Sequence, residues 1–318
     1  MSGFDAKRLL RSKDAGITLS ALTLFLFFSL TSDSFLTRYN LFNVSRMVGF
    51  FALVALSQGL ALVVGGMNLS VGAIGGLATI TTGYLIANLG LPGGAAVIAA
   101  VVVGLLVGAL NGLVITRLKI NSFITTLATL FIFTGIVLGF SEGYAYTKIP
   151  KSFTLVGRGG LLFLSNLFWI ALATLAATHC LFSYTVFGRH LLATGSNPEA
   201  ARLSGINTRN MIVAANVLSG FYAALAAVLW VSRMGSAQPA TGKDWLISSF
   251  AIAIVGGTGL SGGSISSLGI LMGAIIIVFI KNGLVMLDAN VYFEQSFLGS
   301  IILAAVVLNR ARELWTKK

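Results

Sequence analysis

Val64-Gly65-Gly66-Met67-Asn68-Leu69-Ser70-Val71-Gly72 (VGGMNLSVG) interrupts a long apolar run. It is echoed far downstream by Val255–Gly263, VGGTGLSGG, with six of nine positions the same. Each copy joins two apolar stretches. A bilayer core offers no water to backbone N–H and C=O groups, so irregular chain survives there only where protein or a water-lined cavity satisfies them. Gly-rich breaks at corresponding places in two halves of a chain point to a solute pathway. The competing reading is a pair of tight interhelical turns. A phosphate-cradling loop fits neither copy, because both lack the Lys-Ser/Thr pair that such a loop requires. The pathway reading singles out Gln58, Asn68, Ser70, Gly256, Gly257 and Ser261.

The surroundings of these breaks are those of a membrane protein. Of 318 residues, 56 % are hydrophobic and 9 % charged, against about 25 % charged in a soluble domain. Stretches of roughly 20 apolar residues span a bilayer. Here they fall at 16–35, 44–64, 71–90, 94–116, 121–140, 165–184, 210–231, 245–262, 266–285 and 295–309. The expectation is an all-α, polytopic fold of about ten transmembrane helices with Gly-rich interruptions and both termini cytoplasmic. Residues 1–15 form a cytoplasmic N-terminal segment, 16–309 a single membrane domain, and 310–318 a cytoplasmic tail. Lys7, Arg8, Arg11 and Lys13 precede the first apolar run, but no small-residue cleavage site follows Thr18–Leu30, so the run reads as a retained span. With the N-terminus inside, thirteen of the 21 Lys and Arg residues lie on the inner side, the sign expected of cytoplasmic loops. The net charge of +12 therefore points to membrane orientation, not to nucleic acid.

Small residues recur at four-residue spacing, at Gly104, Gly108 and Gly112 and again at Gly269 and Gly273. Such stripes let helix backbones approach closely in lipid. Polar groups inside the spans are mostly neutral, for example Gln58, Asn68, Ser70, Asn111, Thr126 and Asn216. Proton-coupled carriers place ionisable groups along the path, and these spans hold almost none. No catalytic constellation, metal-ligand cluster or nucleotide-binding motif is legible. Cys180 stands alone, and His179 and His190 have no matching ligands. The chain reads as a non-enzyme without a cofactor of its own.

The longest polar interruption of the second half is Thr185–Arg209, TVFGRHLLATGSNPEAARLSGINTR, cytoplasmic by this topology. Within it Asn197 suits an N-cap, Pro198 the first helical position, and Glu199 the positive end of the dipole. Ala200, Ala201, Arg202, Leu203 and Ser204 continue the helix, and Gly205 can end it. So short a helix cannot stand alone in water. It lies against its own membrane domain, or it presents Ala200, Ala201 and Leu203 to a soluble partner.

Four stretches in register carry a resemblance. GGMNLSVGAIGG (Gly65–Gly76), GRHLLATGSNPEAARLSGI (Gly188–Ile206), SAQPATG (Ser236–Gly242) and IVGGTGLSGG (Ile254–Gly263) resemble permease subunits of bacterial ATP-binding-cassette importers for ribose and related sugars, the ribose, galactose, xylose and autoinducer-2 type. The likeness runs from about Val44 to Leu308. It implies an inner-membrane, multi-pass translocation subunit working with a second permease subunit, a cytoplasmic ATPase that binds the ATP, and a periplasmic binding protein that delivers the solute. It also makes Asn197–Gly205 a coupling helix seated on the ATPase. Two departures stand out. The first motif commonly reads GGIDLSVG, and this chain has Asn68 at the acidic position. The second motif is often preceded by an acidic residue before Ala-Ile-Ala, and here the residues are Ile247-Ser248-Ser249-Phe250-Ala251-Ile252-Ala253. The competing readings are a nucleoside or branched-chain amino-acid importer permease, a secondary carrier without ATPase, and a polytopic membrane enzyme.

Overall fold

The computed structural model describes residues 13–287 and isolated positions between 293 and 307. The segments 1–12 and 310–318, and most of the expected span 295–309, lie outside the described residues. Helices appear in the order α1 (Lys13–Thr31), α2 (Arg38–Val63), α3 (Val71–Ala87), α4 (Gly93–Arg117), α5 (Ser122–Ser141), α6 (Lys151–Arg158), α7 (Asn166–Tyr184), α8 (Val186–Ser196), α9 (Pro198–Leu203), α10 (Thr208–Met234), α11 (Trp245–Val255) and α12 (Ser267–Met286). A two-residue hairpin, β1 (Gly160–Leu161) and β2 (Leu164–Ser165), precedes α7. Among the described residues, α2, α4, α5, α7, α10 and α12 are long and apolar enough to cross a membrane; α3, α11 and the Gly16–Thr31 part of α1 are shorter apolar helices. The fold is thus a nearly all-helical, multi-pass membrane bundle.

Two expectations are corrected. The span 245–262 is helical only to Val255. Gly257, Gly262 and Gly263 adopt positive φ of 80°, 87° and 76°, which a helix cannot accommodate, so the chain turns through 256–266 before α12 begins. The stretch 185–209 holds two helices where one was expected. Thr185 caps the extra one, α8, with Oγ1 accepting from Gly188 N at 3.0 Å.

Helix α2 is the centre of the bundle and is buried along nearly its whole length. Phe25, Phe28, Phe35 and Phe279 close the α1–α12 side with ring centroids 5.5 to 6.0 Å apart. The small-residue stripes work within the bundle. A methyl group at Gly104 would stand 2.5 Å from Gly220 O, one at Gly108 would strike Asn216 O, and one at Gly112 would stand 2.7 Å from Val213 Cα. Helices α4 and α10 therefore touch backbone to backbone. Gly269 and Gly273 seat α12 against Gly256 and Ile252 in the same way. Backbone cannot step aside as a flexible side chain can. Gly108→Leu is expected to destabilise the protein by about 2–3 kcal/mol, seen as a lower melting temperature in detergent. Gly139→Leu has open space at its Cα and should leave the melting temperature unchanged.

Candidate coupling and translocation site

Helix α9 is built as the residue types dictate. Asn197 is extended at φ −156°, ψ 98°, and its Oδ1 accepts from Glu199 N at 3.1 Å and Ala200 N at 3.0 Å. Pro198 follows as the first helical residue. At the other end Gly205 takes φ 84°. Its N–H reaches Arg202 O and the N–H of Ile206 reaches Ala201 O, each at 3.0 Å, which is the paired-bond arrangement of a glycine-terminated helix. Both ends are thus fixed by local bonds. The docking trio divides between two faces. Ala201 turns inward at 5 % exposure, whereas Leu203 projects at 81 % and Ala200 is also exposed.

Helix α8 connects α9 to the membrane domain. A methyl group at Gly195 would overlap Val63 O at the end of α2 and stand 2.6 Å from Gly263 N in the second break. Gly263 N also donates to Val63 O at 2.9 Å. A methyl group at Gly262 would stand 2.8 Å from Gly65 N and 2.9 Å from Gly195 O. The two breaks that echo one another in sequence therefore touch in space, and α8 is pressed onto both.

The first break is satisfied largely by α5. Ser122 Oγ accepts from Met67 N at 3.1 Å, and Thr126 Oγ1 accepts from Leu69 N at 3.1 Å and donates to Met67 O at 3.2 Å. Asn68 is a fully buried hub. Its Nδ2 donates to Ser219 Oγ at 2.8 Å, and its Oδ1 accepts from Ser70 Oγ at 2.7 Å and Ser70 N at 3.0 Å. Asn111 Nδ2 extends the network to Ser70 Oγ at 2.9 Å, and Ser57 extends it to Ser219. A carboxylate at position 68 could not donate to Ser219, which explains how the amide fits here. Asn68→Leu would strand these buried partners and is expected to cost about 2–3 kcal/mol of stability; urea or thermal denaturation in detergent checks it.

The SAQPATG stretch completes the cluster. Ala237 pairs with Tyr146 through two backbone bonds of 2.9 and 3.0 Å. The chain then runs along α3, with Gly83 against Ala237, Gly76 3.0 Å from Thr241 O, Gly72 against Gly242 O, and Gly75 against the Trp245 ring, the distances being those of an added methyl group. The glycines of the first motif thus make room for the third motif. The four quoted stretches form one connected structure.

Of the six residues assigned to a pathway, Gln58, Asn68 and Ser70 are fully buried, Gly256 is buried, Gly257 is half-buried and Ser261 is exposed. Neither end of the Gln58 carboxamide finds a hydrogen-bond partner. A cavity of about 460 Å³ opens beside the first break, lined by Gly65, Gly66, Lys119, Ser122, Arg209 and Asn216 among others. Asn111 was visible in sequence only as an intramembrane polar residue and Gly195 only as a loop glycine, while Ser57 and Ser219 carried no signal that set them apart from other serines of the spans. Arg158 bonds to Arg233 O and Met234 O at 3.0 and 2.9 Å. Arg233 lies 5.0 Å from the centre of the Trp230 ring.

Comparison with known proteins agrees with this geometry. The family described as "Branched-chain amino acid transport system / permease component" matches residues 40–306. The ribose import permease protein RbsC of Haemophilus influenzae is 30 % identical over 100 % of this chain and 98 % of its own length. RbsC of Bacillus subtilis is 33 % identical over 93 % of this chain and 92 % of its own. The galactose/methyl galactoside import permease protein MglC of Escherichia coli K12 is 29 % identical over 97 % and 98 %. With its two breaks, its capped short helix and this end-to-end similarity, the chain belongs to the family of branched-chain amino acid transport system permease components.

Proposed function

We propose that the chain is the translocation subunit of an ATP-driven sugar importer of the bacterial inner membrane. A periplasmic binding protein delivers the solute, a second permease subunit completes the pathway, and a separate cytoplasmic ATPase binds the ATP. Ten spans with both termini cytoplasmic, flanked by segments 1–15 and 310–318, are the topology that goes with this reading. The observation that carries it is the rigid path from Leu203 to the paired breaks. Helix α9 is locked at both ends, joins α8 through Asn197 N donating to Ala193 O at 3.1 Å, and α8 presses Gly195 onto Val63 and Gly263.

A displacement of Leu203 by the ATPase therefore reaches both breaks without passing through a flexible segment. Opening the Val63–Gly263 contact on one side of the membrane, and closing it again, is the alternating step. The cavity beside Gly65 and Gly66 is the inner exit. A solute shifts such an equilibrium only through its differential affinity for the two states, so a subunit served by a binding protein needs few solute contacts of its own. Gln58, Asn68, Ser70, Gly256, Gly257 and Ser261 are the residues proposed to border the path. Among the described residues, Lys148, Lys151 and Lys243 are cations on the proposed outer side without the internal bonds that engage Arg158, and they are offered to acidic groups of the binding protein.

The test is uptake into proteoliposomes by the chain reconstituted with the ATPase and binding protein that co-purify with it, using labelled ribose, galactose and arabinose. ATP-dependent accumulation of a sugar that requires the binding protein is the expected result. Uptake driven by a sodium gradient without any ATPase would overturn it in favour of a secondary carrier.

A further inference from the structure

The hairpin between α6 and α7 breaks the rules of its own turn. Gly160 pairs with Ser165 and Leu161 with Leu164, leaving a two-residue loop of Leu162 and Phe163. Both loop residues have positive φ, 51° and 65°. A two-residue hairpin loop of this kind favours Asn-Gly, because bulky side chains clash with their own backbone at positive φ. Here the loop carries two large apolar residues, and the tip also exposes them. Leu161, Leu162 and Phe163 are 62, 70 and 69 % exposed. Strain and apolar exposure to water both oppose this arrangement.

The root of the hairpin is firmly held. Asn166 N donates to Gly159 O at 3.1 Å, Ser165 N donates to Ser45 Oγ at 3.0 Å, and Trp169 Nε1 donates to Leu161 O at 3.0 Å. The tip therefore projects from a fixed base. That base lies between the second turn of α2, at Phe42 and Ser45, and the first turn of α7, both membrane-spanning helices. The neighbouring surface has the composition of a bilayer interface. Leu36 and Tyr39 are exposed, Trp169 is part-exposed, and the Arg38 guanidinium lies 4.6 Å from the Phe163 ring centre. Tyr and Trp gather at headgroup level, and arginine there meets lipid phosphates.

We propose that Leu161, Leu162 and Phe163 insert into the outer leaflet of the membrane as a lipid anchor, with Arg38 at the level of the phosphates. The bilayer is the occupant because the patch continues the outer ends of two spanning helices and places the Arg38 cation beside the apolar tip. Helix α6 passes this anchoring to α10. Gly157 N donates to Ser232 Oγ at 2.8 Å, and Arg158 bonds to the carbonyls of Arg233 and Met234. The outer end of α10 is thereby held to the membrane, while its inner end follows the coupling helix.

The test uses the full chain in liposomes of phosphatidylethanolamine and phosphatidylglycerol. A Leu161→Cys change in a Cys180→Ser background carries a bimane label, with Lys148→Cys as the aqueous control. Nitroxide-bearing lipids should quench the label at 161 at least threefold more than the one at 148, and iodide should do the reverse. Equal iodide quenching at both sites without lipid quenching would overturn the proposal. So would shielding from iodide that appears only when the binding protein is added. A second arm adds Leu162→Asn with Phe163→Gly, which relieves the turn and so keeps the chain folded. Lipid quenching at 161 should then fall at least twofold. Unchanged quenching would overturn the role given to the tip.

Discussion

Leu203→Asp is expected to abolish ATP-driven uptake while leaving the permease folded. Leu203 is 81 % exposed on a helix whose two ends are bonded to their own backbone, so the free chain loses almost nothing by the change. Under the proposed function the same side chain enters an apolar socket on the ATPase. An aspartate there is a buried charge without a partner, which costs roughly 3–5 kcal/mol. Docking should weaken at least about a hundredfold, since 1.4 kcal/mol is a factor of ten. The measurement is co-purification of the ATPase with the tagged permease, beside the melting temperature of the permease alone. A mutant that melts like the wild type and still retains its ATPase would remove Leu203 from the interface. Leu203→Met, which keeps the apolar volume, should retain both binding and uptake.

The second large effect is expected at Gly195. Valine there would overlap Val63 O and crowd Gly263 N, so α8 must leave the junction or the two breaks must part. Helix α9 itself is untouched, and the ATPase of the proposed importer should still bind. Uptake should nonetheless fall about a hundredfold or more, with ATP hydrolysis no longer responding to the loaded binding protein. The combination of bound ATPase and lost transport separates Gly195 from Leu203. The control is Gly94→Val, at a glycine with nothing near its Cα, which should transport like the wild type. Wild-type uptake by Gly195→Val would mean that movement does not pass through this contact.

Much of this arrangement was legible in the residues. The cap at Asn197, the proline after it and the glycine at 205 specify α9 through local chemistry, and the structure contains that helix with those ends. The packing of Gly104, Gly108 and Gly112 inside the bundle also follows from their spacing. Hydropathy set the spans but misjudged two boundaries. Arg38, Asn40 and Asn43 are polar, so the apolar window of α2 opens late, although the helix begins at Arg38. The window 245–262 stays apolar through its glycines, yet positive φ at Gly257 and Gly262 ends the helix early. Helix α8 escaped notice because Gly188 and Gly195 read as loop residues. Each is a glycine because neighbouring backbone occupies the place of its side chain. Nor could the pattern reveal that Asn68 spends its polar atoms on Ser70 and Ser219, since those partners come from distant parts of the chain.

The smallness of α9 has a wider consequence. Six residues, sealed at both ends, expose one large apolar side chain, which under the proposed function meets the ATPase. Such a plug carries no information about the cargo, and the residues bordering the cargo carry none about the motor. A lineage can therefore change what it imports by altering the membrane interior while drawing on the same ATPase. One motor can likewise serve several permeases whose plugs match its socket. Interchangeable parts are the natural outcome of a junction this compact.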